Sequence, residues 1–146
     1  MILEGPCRSD GDDVAMGYRW IDHTAELELH IAAPTEAAVF EDALRAFQEL
    51  IGDESTREHV AFDVELTSPD RATLLVLWLD ELVYRAETED LVPEDVERLE
   101  LSADRLVATV RGLRGEPRHL VKGVTYNGLA FDGGDDGYHA TVVLDV

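Results

Sequence analysis

The residues best suited to chemistry in this 146-residue chain stand in two short stretches near its opposite ends. The first is Ile21-Asp22-His23-Thr24-Ala25-Glu26, a polar cluster at the entry to a segment that otherwise alternates apolar and polar residues. The second is Val142-Val143-Leu144-Asp145-Val146, where a strand closes on a carboxylate and then on the α-carboxylate of Val146. If the strands carrying them lie side by side, as chain ends often do, Glu26, Asp145 and Val146 bring three carboxylates to one spot. Like charges that close raise one another's pKa, so the spot calls for a cation. Ca2+ or Mg2+, which take oxygen ligands, would serve, and so would the ammonium of Lys122. The competing reading is three separate surface acids in an acid-rich chain. Lys122, the only lysine, opens Lys122-Gly123-Val124-Thr125-Tyr126 and is either an ordinary edge-strand charge or reaches that carboxylate cluster. Glu81, in Trp78-Leu79-Asp80-Glu81-Leu82, sits beside the apolar stripe of a helix, where composition favours an exposed acid.

Other chemistries lack their signatures. There is no glycine-rich phosphate loop, no serine elbow and no histidine pair at metal spacing on a helix. Cys7, the single cysteine, cannot form an internal disulfide or a Cys-rich zinc site. The five histidines are scattered. Thirty-two acids against twelve bases leave a net charge of −20, which repels phosphate backbones, so direct nucleic-acid binding is not expected. Eleven of the twelve bases are arginine, a bias that fits either a GC-rich genome or a high-salt cytosol, where screening makes an acidic surface tolerable. No run approaches the roughly 18 apolar residues of a membrane span, and the N-terminus lacks the basic flank and apolar run of a signal peptide. A cytoplasmic protein without a membrane partner is therefore expected.

The elements that must position these residues follow from periodicity. Residues 1–16, rich in Gly and Asp, predict a flexible acidic tail, with Met16 a candidate true start. Residues 17–146 are read as a single domain. From Tyr18 onward a strand is expected, with Leu27, Leu29 and Ile31 alternating with Glu26, Glu28 and His30. Thr35 is the expected N-cap of a helix through Phe40, Ala43, Leu44, Phe47, Leu50 and Ile51, stopped at Gly52. Val60, Phe62, Val64 and Leu66 predict a second strand. Ser68-Pro69-Asp70 opens a second helix with its apolar stripe at Leu74, Leu75, Trp78 and Leu82. Short strands around 96–101 and 106–111, one near 121–131 and a closing strand over 138–146 complete the chain. The order predicts an α+β domain: two helices packed on a mixed, mostly antiparallel sheet of about six strands.

Five segments in order and at the right spacing resemble the archease family. They are Asp22-His23-Thr24-Ala25-Glu26, Thr35-Glu36-Ala37-Ala38-Val39-Phe40, Trp78-Leu79-Asp80-Glu81-Leu82-Val83-Tyr84, Lys122-Gly123-Val124-Thr125-Tyr126 and Val142-Val143-Leu144-Asp145-Val146. The resemblance covers about residues 17–146; no single segment is specific, but five in order are. It implies an archease-like fold and a protein cofactor rather than an enzyme: an activator of the RtcB-type RNA ligase of tRNA splicing and RNA repair. That ligase is guanylylated by GTP on a histidine with Mn2+, and the resemblance implies promotion of this step and of multiple turnover. An older reading of the family is a chaperone-like modulator of tRNA methyltransferases. A small metal-dependent enzyme using the same acids is a third reading, although no nucleophile–base pair is visible. By resemblance the metal site maps onto Glu26, Asp145 and Val146, and the essential lysine onto Lys122. Asp22, His23 and Glu81 are grouped with Lys122 as residues that act on the partner. Glu26 stands where the family usually has Asp, Asn127 where it usually has His, and the loop before Lys122 is short.

Overall fold

Apolar residues occupy even positions at Tyr18 and Trp20 but odd positions at Leu27, Leu29 and Ile31. Because side chains alternate across a sheet, a change of phase marks a break in the strand. The computed structural model, which describes residues 2–4, 17–23, 25–52, 58–119 and 121–146 (backbone alone for 2–4 and 23), has a hairpin there. Strand β2 (Gly17–His23) pairs antiparallel with β3 (Glu26–Ala33), and Ala25 takes a left-handed φ of 65° in the turn. The single strand expected from Tyr18 is thus two. Ahead of it, β1 (Ile2–Glu4) pairs with β2; the rest of the expected tail, residues 5–16, lies outside the described residues.

Helix α1 (Glu36–Ile51) starts where Thr35 Oγ1 accepts the Ala38 N–H at 3.1 Å and ends at Gly52, whose N–H reaches the Gln48 carbonyl. Helix α2 (Arg71–Glu89) is capped by Asp70, which accepts the Thr73 N–H at 3.0 Å, and stops at Asp90 in the left-handed conformation. The remaining strands are β4 (His59–Thr67), β5 (Leu91–Leu101), β6 (Arg105–Arg114), β7 (Gly123–Gly134) and β8 (Gly137–Asp145). β5 and β6 run longer than their alternation predicts, β5 starting before Pro93 with its register shifted between Pro93 and Asp95 and between Val96 and Arg98.

Every pairing is antiparallel, and the strands form two sheets, one ordered β1-β2-β3-β8-β7 and one ordered β4-β6-β5. The helices explain the division. α1 buries Val39, Ala43 and Ala46 as well as Phe40, Leu44, Phe47 and Ile51, and α2 buries eight residues of its nineteen. An apolar arc that wide must be covered from two sides. α1 packs on β2, β3 and β8 of the larger sheet and on β5 of the smaller, while α2 packs on β7 and on all three strands of the smaller sheet. One core joins them, centred on Phe40, Phe47 and Trp78. The Trp78 indole N–H donates to the Phe40 carbonyl at 2.9 Å, so its one polar group is satisfied inside.

Candidate functional site

The two chemistry-bearing stretches meet because β3 and β8 are neighbours. Their register sets Glu26 directly opposite Asp145, and residues directly opposed in an antiparallel pair share a face with Cβ atoms about 4.5–5.5 Å apart. Both side chains are half-buried. They project from the face away from the core, since Leu27 and Leu144, one step along each strand, are buried on the helix side. The Val146 N–H donates to the Ala25 carbonyl at 3.2 Å, which ties the residue after Asp145 to the β2–β3 turn. On the other flank of β8, the Lys122 N–H donates to the Asp145 carbonyl at 2.7 Å and Gly123 is the register partner of Asp145. The Lys122 side chain is exposed and pairs with no carboxylate among the described residues.

Of the remaining candidates, His23 is the register partner of Glu26, and Asp22 is that of Leu27. Asp22 therefore shares the end of the sheet with Glu26 but stands on its opposite, helix-facing side. Glu81 is elsewhere. Its carboxylate receives the Arg85 guanidinium at 2.9 Å, and Arg85 also reaches the Asp63 carbonyl of β4 and stacks 4.7 Å over the Phe62 ring. Burial alone would lower the Arg85 pKa, but the Glu81 hydrogen bond and charge, helped by Glu89, hold it above its ordinary value. Glu81 thus serves the smaller sheet.

The α2 acid turned toward β7, the strand that follows Lys122, is Asp80, whose carboxylate lies near the Val124 N–H. Desolvation by the elements packed around it pushes its carboxyl above the usual range, with the nearby Val124 N–H pulling the other way. β7 is a sheet edge, and Asp80 places a carboxylate beside the backbone donors of that edge. The motif segment 78–84 contains Asp80, but sequence cannot say which of two adjacent acids turns toward β7; a rotation of about 100° per residue separates them.

Among the described residues, no three His, Cys, Asp or Glu side chains gather to hold a metal ion. The corner offers two opposed carboxylates and main-chain oxygens, a hard, all-oxygen donor set of the kind Ca2+ and Mg2+ accept. A hollow of about 540 Å³ lies on the smaller sheet beside His59, Glu94 and Arg111, where Asp95 already engages Arg111 at 2.7 Å. No helix among the described residues is long and apolar enough to cross a membrane.

Two helices held between antiparallel sheets, with the first long hairpin and the closing strand joined at one corner, define a small α+β class of protein. Residues 18–146 match the model of the Archease protein family (MTH1598/TM1083). The chain is 32% identical over 139 residues to "Protein archease" of Methanosarcina barkeri (strain Fusaro / DSM 804), covering 88% of this chain and 95% of that one. The solution structure of Methanobacterium thermoautotrophicum protein 1598 superposes with a TM-score of 0.69 at 30% identity, covering 89% of this chain and 99% of that one. The crystal structure of "an archease, possible chaperone" from Thermotoga maritima shares the fold, with a TM-score of 0.65 at 20% identity over 86% of this chain and 94% of that one. The chain belongs to the archease family.

Proposed function

We propose that this protein is a non-catalytic activator of an RtcB-type RNA ligase, promoting the ligase's GTP-dependent guanylylation and repeated turnover in tRNA splicing and RNA repair. The observation that carries the reading is the corner where Glu26 faces Asp145 and the main chain of Lys122 is bonded to Asp145. Two opposed carboxylates repel each other, and that repulsion is relieved when a cation is shared between them. Glu26, Asp145 and a main-chain oxygen of Val146 would hold Ca2+ or Mg2+, or Mn2+ in the ligase complex, and the ion would supply a fixed positive charge at the contact. Ca2+ takes six to eight oxygens, so this short donor set leaves positions for groups of a partner. Lys122 adds an exposed ammonium suited to phosphate oxygens, a point charge with three donors. An RNA-joining enzyme must present basic side chains to its substrate, and a protein of net charge −20 is steered toward such a surface.

The test is guanylylation of the cognate ligase with GTP and Mn2+, with and without this protein. Lys122→Ala and Asp145→Ala should each abolish stimulation while leaving circular dichroism unchanged; full stimulation by both variants refutes the reading. The Thermotoga maritima structure is described as a possible chaperone; a second reading makes this protein a chaperone-like modulator, with tRNA methyltransferases the clients that the family resemblance implies. Suppression of methyltransferase aggregation without any effect on the ligase would favour it.

A further inference from the structure

Among the described residues the exposed large apolar or aromatic side chains are Tyr84 (54%), Tyr126 (59%) and Val146 (36%). A lone exposed aromatic means little, but these three stand on α2, on β7 and directly after β8; α2 packs on β7, which pairs with β8 beside the corner. The course of α2 fixes how two of them are related. Its first residue, Arg71, pairs with Glu36 at the start of α1 (3.3 Å), and Trp78 bonds to Phe40, whose ring lies 6.0 Å from that of Phe131 on β7. Two residues on, the Asp80 carboxylate lies near the N–H of Val124, seven residues earlier on β7. α2 therefore runs antiparallel to β7 and toward the corner. One turn beyond Asp80, about 6 Å, comes Tyr84; two residues before Val124, about 6–7 Å, comes Lys122.

Both sides of this seam are built to face outward. Asp80, Tyr84 and Glu87, at positions i, i+4 and i+7 of one helical stripe, are all exposed. On β7, pairing with β8 lapses between Thr125 and Ala130, and Tyr126, Asn127 and Gly128 in the gap are exposed. The bulge is ordered by the Asn127 N–H on Thr125 Oγ1 (3.1 Å) and by Gly128 at φ +69°. Bulges on edge strands re-aim side chains next to functional sites.

We propose that the seam between α2 and β7 is the surface that grips the ligase, with Tyr84 and Tyr126 as aromatic anchors and Asp80 and Glu87 receiving arginine side chains of that partner. The inference rests on the ligase reading above and assigns its contact surface. Acids interrupt the stripe on both sides of Tyr84, so it does not suit an apolar helix. A guanidinium fits it, lying over a tyrosine face while its N–H groups reach a neighbouring carboxylate. Tyrosine and arginine are also the residues that carry interfaces. The net charge of −20 selects a basic partner.

The test is the dissociation constant of the purified ligase for full-length protein by calorimetry at one fixed salt concentration. The double variant Tyr84→Ala, Tyr126→Ala should bind at least tenfold more weakly, and so should Glu87→Arg, which keeps both rings. Glu100→Ala, on the far side of the smaller sheet, should bind like the unaltered chain. All four residues are exposed, so the melting temperatures of these variants should stay within a few degrees of the parent. If the unaltered protein binds and stimulates the ligase while both seam variants bind within threefold of it, the seam is overturned and the ligase reading stands. If the unaltered protein neither binds nor stimulates, both fall together.

Discussion

At the scale of single residues, the informative feature is a conflict the chain has not designed away. Glu26 and Asp145 are opposed like charges, an arrangement that costs about 0.2–1 kcal/mol relative to a neutral pair. Replacing Asp145 by Asn keeps the shape and removes one charge. Without divalent metal, Asp145→Asn should therefore melt at the same temperature as the parent or slightly above it. Millimolar Ca2+ should raise the melting temperature of the parent by several degrees, because a ligand at a hundredfold its dissociation constant stabilises by about 2.7 kcal/mol, and should not move the variant. An equal Ca2+ response in both, by differential scanning calorimetry, removes this corner as the metal site. Asp70 shows the opposite logic. Its carboxylate is held below the usual range by hydrogen bonds from the Thr73 hydroxyl and N–H. Its folded pKa is depressed, so the stability it adds is present above the ordinary Asp value and lost as pH falls through the folded one. Asp70→Ala should cost about 1 kcal/mol at pH 7, the usual worth of an N-cap, and the gap in denaturant midpoints should close as pH falls below the ordinary Asp value and through the lower, folded one.

At the scale of elements, close approach between strands can be tested at Gly112. A Cβ built there would meet the Val92 carbonyl oxygen of β5 at 2.8 Å, a backbone atom that cannot rotate away. Gly112→Ala should cost about 1–3 kcal/mol, as overpacking does, read as a lower urea midpoint with an unchanged slope. Gly112 also shows where sequence reading stops. A glycine before Gly115 and Pro117 reads as a loop, yet β6 continues through it to Arg114 because β5 needs the room. Helix limits were legible, since Thr35, Gly52 and Asp70 act within a few residues of themselves. The meeting of Glu26 with Asp145 was legible only as a condition, because alternation along a strand does not say which strand lies beside it. The partition into two sheets was not legible: it follows from the buried arcs of both helices together, and Val39, Ala46 and Val76 read singly as ordinary helix residues. The choice of Asp80 over Glu81 depends on helix rotation, and the position of Asp22 on the opposite face depends on the hairpin register.

At the scale of the whole molecule, charge bears on the stability of the fold and on the proposed partnership in opposite senses. A net charge of −20 on 146 residues makes the folded state repel itself, and the described ion pairs offset little of this. Those of Arg105 with Glu65 and of Arg114 with Glu58 are exposed, and such pairs are worth about 0–1 kcal/mol each. Salt shortens the screening length from about 10 Å at 0.1 M to about 3 Å at 1 M. Raising KCl across that range should therefore raise the melting temperature, and a large rise would favour the high-salt cytosol over mere GC bias as the origin of the Arg-rich, Lys-poor composition. The same screening weakens attraction to a basic partner. The association rate with the ligase, followed by stopped-flow fluorescence, should fall by at least tenfold over that range, while the dissociation rate changes less, because long-range steering acts on encounter. A protein whose stability climbs with salt while its capture by the ligase slows would behave as one acidic body docking on a cationic one. Association that is indifferent to salt would leave the net charge without a part in recognition, and the contact would then rest on Tyr84, Tyr126 and the Glu26–Asp145 corner alone.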